Sequence, residues 1–271
     1  MKTSLPVAII RFTTLGLALF GLAGISLADP IPSGWTCSGS CGSLGANGVV
    51  TLSPTGNSSY EYITTNGSSS TAVVPGVTKT SETNGSTLAT PVFSATSGTA
   101  LNFYFNFVTS DGAGGGTTYA DYGWAELFNS SNDPVALLFT GRTEPTGSIV
   151  PGSGLPTPVA TLTPSSVPII GGGPDWSPLG GYSGSCFGPG CGYTGWVLSS
   201  YTIPTAGNYY LEFGVTNWID QLYDTGMAID GVTVGGVPVT PPSTPEPSTL
   251  ALFGTGLIAI AGAARKKFGS R

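Results

Sequence analysis

The chain has 271 residues and contains no histidine, four cysteines, 42 glycines and 22 prolines. Without histidine there is no Ser-His-Asp or Cys-His nucleophile pair and no imidazole ligand for a metal. All 14 acids fall between residues 29 and 246, against Lys79 and Arg142, a net charge of −12. That surface repels phosphate backbones and offers no basic stripe, which excludes nucleic acid as a partner.

Lys2 and Arg11 precede an apolar run from Leu15 to Ile25, which ends in Ser26-Leu27-Ala28. A basic start, a short apolar stretch and a small-x-small exit make a signal peptide over residues 1–28, cut between Ala28 and Asp29. The implied partners are the Sec translocon and signal peptidase, and the destination is oxidising. There, Cys37, Cys41, Cys186 and Cys191 predict two disulfides, with three connectivities possible. Gly/Ser/Pro loops let the short rings 37–41 and 186–191 close. Crossed pairing, which would tie the first strand to the 186–191 loop, stays open. A four-cysteine zinc site lacks the spacing and the reducing compartment.

Residues 29–237 read as one all-β domain. In Leu101–Val108, Leu101, Phe103, Phe105 and Phe107 alternate with Asn102, Tyr104 and Asn106, the period of a half-buried strand. Residues 208–216 repeat it, with Tyr209, Leu211, Phe213 and Val215 inward and Glu212 and Thr216 outward. Shorter strands are predicted at 48–52, 60–64, 135–140, 195–203 and 227–234. Short strands separated by Gly/Pro/Asn turns indicate a β-sandwich or jelly roll. The Ser/Thr/Asn-rich stretch 53–98 is expected to be weakly structured. The Pro/Gly-rich stretch 144–190 reads as a long excursion, and residues 238–244 as a linker.

The densest acids are Asp220, Asp224 and Asp230, with Asn217 just before them. Such residues fix turns through their side chains, or supply the hard oxygen ligands of a structural calcium ion. No EF-hand spacing accompanies them. A carboxylate-dependent polysaccharide hydrolase would draw its pair from Asp121 and Glu126 beside Trp124, or from Asp220 and Asp224. Five tryptophans raise sugar stacking; most belong to the core, and Trp176, in Gly-Gly-Gly-Pro-Asp-Trp-Ser-Pro, is the expected exposed platform. The Thr-rich residues 61–90 lack the register of an ice-binding face.

The tail reads Pro245-Glu246-Pro247, then 18 uncharged residues (247–264), then Arg265-Lys266-Lys267. Eighteen residues at about 1.5 Å each make about 27 Å of helix, a bilayer core, with the basic cluster on the cytoplasmic side. Residues 245–271 resemble the PEP-CTERM sorting signal of exosortase-carrying bacteria, a segment also labelled an ice-binding-protein C-terminal domain. The resemblance implies an inner-membrane-anchored precursor, recognised by exosortase and cut near the motif. Residues 100–271, through Phe107-Val-Thr-Ser-Asp-Gly, Asp121-Tyr-Gly-Trp-Ala-Glu-Leu and Gly190-Cys-Gly-Tyr-Thr-Gly-Trp, also resemble a family of exported PEP-CTERM proteins with no assigned activity. The sequence thus predicts an exported protein of the cell surface or extracellular matrix, structural or binding and not catalytic. A carbohydrate-binding jelly roll, calcium-stabilised and bound to extracellular polysaccharide, is the alternative, and the hydrolase the second alternative.

Overall fold

A computed structural model describes residues 30–112, 120–144 and 147–239. The signal peptide with its Ala28/Asp29 cut, the linker from residue 240 onward and the tail, including Pro245, Glu246, Pro247, Arg265, Lys266 and Lys267, lie outside the described residues. Among those described, no helix is long and apolar enough to cross a membrane.

The strands are β1 (Thr36–Ser38), β2 (Ser40–Leu44), β3 (Tyr60–Thr64), β4 (Glu82–Ala89) and β5 (Phe93–Ala95). Then come β6 (Thr99–Thr109), β7 (Tyr122–Asn129), β8 (Pro134–Arg142), β9 (Thr161–Thr163) and β10 (Ile170–Gly171). A 3₁₀ segment, Ser177–Tyr182, leads to β11 (Gly192–Tyr193), β12 (Val197–Ile203), β13 (Gly207–Trp218), β14 (Thr225–Val234) and β15 (Val237–Pro238). They form two antiparallel sheets packed as a sandwich. One runs β1-β4-β13-β7-β8, with β5 also on β13; the other runs β10-β11-β6-β14-β3-β2, extended by β12, β9 and β15.

The two aromatic strands face each other, as their alternation requires. Phe103, Phe105 and Phe107 on β6 are fully buried against Leu211, Phe213 and Val215 on β13. Phe103 meets Phe213 edge-on at 5.1 Å, and Phe105 meets Phe139 of β8 at 4.1 Å. Each buried ring contributes about 2–3 kcal/mol.

Three expectations are corrected. The stretch 53–98 contains, besides the expected strand β3, the strands β4 and β5. Its polar side chains satisfy backbone where the sheets meet: Ser86 Oγ donates to Thr64 O at 2.6 Å, and Asn84 Nδ2 to Thr65 O at 2.9 Å. Hydroxyls that look like disorder in composition are here the partners of buried carbonyls. Second, Thr216 points outward as expected but is buried rather than solvated. Residues 72–77 fold over that outer face of the sheet, bringing Val74 against Tyr122 and Trp124. Third, residues 48–52 form no strand, only an Asn47–Val50 bridge.

Candidate functional site

Both local disulfides are formed, Cys37–Cys41 and Cys186–Cys191. The second ring places Phe187, whose N–H donates to Ser110 O at 2.9 Å beside the end of β6.

Trp176 is not the exposed platform. It is 0 % exposed, packed on the outer face of the β6–β14–β3 sheet with Tyr60, Val108 and Ala228. Its Nε1 donates to Tyr60 Oη at 3.0 Å. A Cβ on Gly226 would come 2.6 Å from the indole, so glycine there is what lets the ring seat. The 144–190 excursion therefore ends in a plug rather than a ligand platform.

The 217–230 acids do not converge. Asp230 lies six residues along β14 from Asp224, about 20 Å at strand rise. There it accepts from Thr55 Oγ1 at 2.7 Å, Asn57 Nδ2 at 2.8 Å, Gly231 N at 2.6 Å and the Ser53 hydroxyl. Asp224 accepts from Thr65 Oγ1 at 2.9 Å. Asp220 caps its own loop by accepting from Leu222 N at 2.8 Å. Asn217 is buried beside the Asp224 carboxyl, whose charged form its side-chain amide favours, with no well-formed hydrogen bond among the described residues. Asn217, Asp220, Asp224 and Asp230 are thus not one ligand set for calcium. Among the described residues, no three acid or cysteine side chains form a metal-holding group.

What the fold brings to Asp220 instead is Asp111, at the end of β6, and Asp121, at the start of β7. A register shift between Thr216 and Trp218 turns the Trp218 N–H onto Asp121 Oδ1 at 2.8 Å. Thr225 Oγ1 of the opposite sheet donates to Asp121 Oδ2 at 2.7 Å. Burial holds the Asp121 carboxyl well above the ordinary range, and the charges of Asp111 and Asp220 add to the effect. Asp111 is 2 % exposed, and its Oδ1 has no hydrogen-bond partner. Burial, with the Asp220 charge behind it, pushes its carboxyl up to about 8.

Beside these acids lies a cavity of about 240 Å³, lined by Asp111, Asp220, Phe187, Leu222 and Tyr223. The Tyr223 ring stands between Tyr182 at 4.8 Å and Phe187 at 5.0 Å. Phe187 and Leu222 are exposed at its mouth. The loop that frames it holds two bulky residues at positive φ, Ile219 at 75° and Tyr223 at 56°, a conformation that such side chains rarely adopt. Asp111 was the residue that sequence reasoning missed. Only its place at the end of the best strand, beside a Gly-rich turn, could have flagged it.

The hydrolase pairs fare differently. Asp121 sits at the junction between the sheets, whereas Glu126 shares the outer face of its sheet with Trp124 and lies opposite Glu212 in the β7–β13 register. Trp124 is itself buried, with Nε1 on Ala72 O at 2.9 Å. Glu126 is raised to about 7 by burial, and Glu212 is also raised by burial. Glu212 lines an open groove of about 480 Å³ with Thr87, Asn132 and Tyr210. Asp220 and Asp224 bond to separate partners, as described.

The architecture defines a two-sheet antiparallel β-sandwich closed by two local disulfides. The chain carries a match at residues 243–267 to the PEP-CTERM protein-sorting motif. No curated protein matches it. Among solved structures, it is similar to the K1 cleaved adhesin domain of Lys-gingipain from Porphyromonas gingivalis W83, at 12% identity over 75% of this chain and 91% of that one, TM-score 0.33. It is also similar to a structure described as "CBM4 structure and function", at 9% identity over 74% of this chain and 93% of that one, TM-score 0.29. A third, the enzymatically active domain of bacteriophage CBA120 tailspike protein 4, is matched at 12% identity over 75% of this chain but only 19% of its own length, TM-score 0.33.

Proposed function

We propose that the chain is an exported surface or extracellular-matrix protein, sorted by exosortase, whose β-sandwich serves a structural or binding role toward extracellular polysaccharide. The sorting motif at 243–267 supports the export and sorting in this reading. In it, the Sec translocon and signal peptidase release the body at Asp29, residues 247–264 hold the precursor in the inner membrane, and exosortase cuts near Pro245-Glu246-Pro247. Two disulfides and a sparsely charged acidic body suit that oxidising destination.

The body binds rather than turns over its ligand. Its serine and threonine hydroxyls have no imidazole base in the chain.

Intact mass of the protein recovered separately from medium and membrane of the native host tests the sorting. The expected species begins at Asp29 and ends near Glu246. A membrane-held species still carrying residues 247–271 would overturn exosortase processing.

A further inference from the structure

The cavity beside Asp111 is walled by two carboxyl groups, with no basic side chain among its lining residues. Asp111 Oδ1 is buried without a donor, and Asp220 adds a second carboxylate at the same cavity. Arg142 is not among the lining residues: its guanidinium lies 5.1 Å from the Tyr122 ring and 4.6 Å from the Trp218 ring, with Nη1 on Ser153 O at 2.8 Å. A buried carboxyl oxygen without a donor calls for a ligand that brings one, such as an ammonium group. The walls specify which kind. Tyr223 and Phe187 are aromatic, and aromatic faces attract ammonium groups and stack on the apolar faces of sugar rings.

We propose that this cavity binds the protonated amine of a hexosamine unit in an extracellular polysaccharide, with Asp111 Oδ1 accepting from the ammonium group. The proposal rests on the surface location argued above. A volume of about 240 Å³ leaves room for one pyranose ring. Asp220 adds charge at the ring, Tyr223 and Phe187 stack on it, and exposed Leu222 lets the polymer continue past the mouth. An incoming ammonium supplies the positive charge that allows the buried Asp111 carboxyl to ionise. The −12 charge of the body draws a cationic polymer toward the surface.

Calorimetric titration of the full-length protein in detergent tests this with four probes: a glucosamine tetramer, its N-acetylated counterpart, a glucose tetramer and lysine methyl ester. The glucosamine tetramer should bind at least tenfold more tightly than the other three. Asp111→Asn should weaken it at least tenfold. Should that buried change unfold the protein, Phe187→Ala and Asp220→Asn, both at the cavity mouth, should each weaken it at least threefold. Equal binding of the free and acetylated tetramers, or no binding of either, overturns the proposal. Preference for lysine methyl ester also overturns it, in favour of a protein partner. A released, correctly cut protein that ignores glucosamine fails here alone, whereas a membrane-retained protein that binds it fails only the sorting reading.

Discussion

Replacing Trp176 by alanine separates a core plug from a ligand platform. The indole is wholly buried against the outer face of its sheet, so truncation opens a cavity under the 174–183 segment. Large aromatic-to-alanine changes in cores cost about 3–5 kcal/mol. Tyr60 Oη loses its 3.0 Å donor as well, adding about 1 kcal/mol. A loss of about 4–6 kcal/mol follows, a large share of a typical domain's 5–15 kcal/mol. For a body of this size it lowers Tm by roughly 10–15 °C. Thermal and urea unfolding measure it directly. Tyr60 gives a local readout, since burial chiefly holds its hydroxyl up to about 12. In the variant, water reaches that hydroxyl, and its ultraviolet titration should move down toward the ordinary tyrosine value. A loss below about 1 kcal/mol with the Tyr60 titration unchanged would refute the packing argument. So would loss of polysaccharide binding at unaltered stability.

Four other outcomes follow from the same geometry. Burial raises the carboxyls of Asp111 to about 8, Glu61 and Glu126 to about 7 and Asp224 to about 6, and it also raises Asp121 and Glu212. Between the unfolded carboxylate range near 4 and these values the native state holds more protons than the unfolded one, so stability falls as pH rises from about 4 to 8. Glu82, held low by amide and Tyr122 hydrogen bonds that outweigh its burial, opposes the trend only in part. Melting scans should give a higher Tm at pH 5 than at pH 8, and Glu126→Gln should flatten the difference; a Tm that rises over this window refutes the burial argument. Opening Cys186–Cys191 by a double serine change removes a short ring worth about 2 kcal/mol in chain entropy, and protease should then nick residues 186–191 first. Ile219→Asn should stabilise by about 1 kcal/mol in urea unfolding, because asparagine tolerates the positive φ that isoleucine holds under strain. Glu212→Gln should leave polysaccharide chains intact in length, as they are with the parent protein; chain cleavage by the parent that the variant loses would establish a hydrolase.

How much of this could be read from residues alone depends on whether the signal was local. The strands at 101–108 and 208–216 were legible because a period of two with aromatics on one face has few other solutions, and those rings do form the core. The local disulfides were legible as one option, since rings of five or six residues need only a flexible turn. Composition misled where polar residues satisfy buried backbone instead of water. Ser86 and Asn84 look like loop residues, yet they bind the carbonyls of Thr64 and Thr65 where β4 crosses β3. Trp176 failed for the related reason that a Pro/Gly frame suggests exposure, while its burial depends on Gly226, fifty residues away.

The acid site shows the same limit most sharply. Density along the chain pointed to 217–230, but strand direction sends Asp230 away from the loop that holds Asp220. Hydrogen-bonded pairing of β6 with β14 and of β7 with β13 instead delivers Asp111 and Asp121, about a hundred residues earlier. Sequence proximity is a good guide to a turn and a poor one to a cavity whose walls come from the end of β6, the 186–191 ring and the 219–224 loop. The last described residue, Val239, follows β15 and has its N–H on Val232 O. That point lies seven residues along β14 from Thr225, about 23 Å from the cavity end. A precursor held by its tail would thus present Asp111, Tyr223 and Phe187 at the far end of the body, clear of the tail's point of departure.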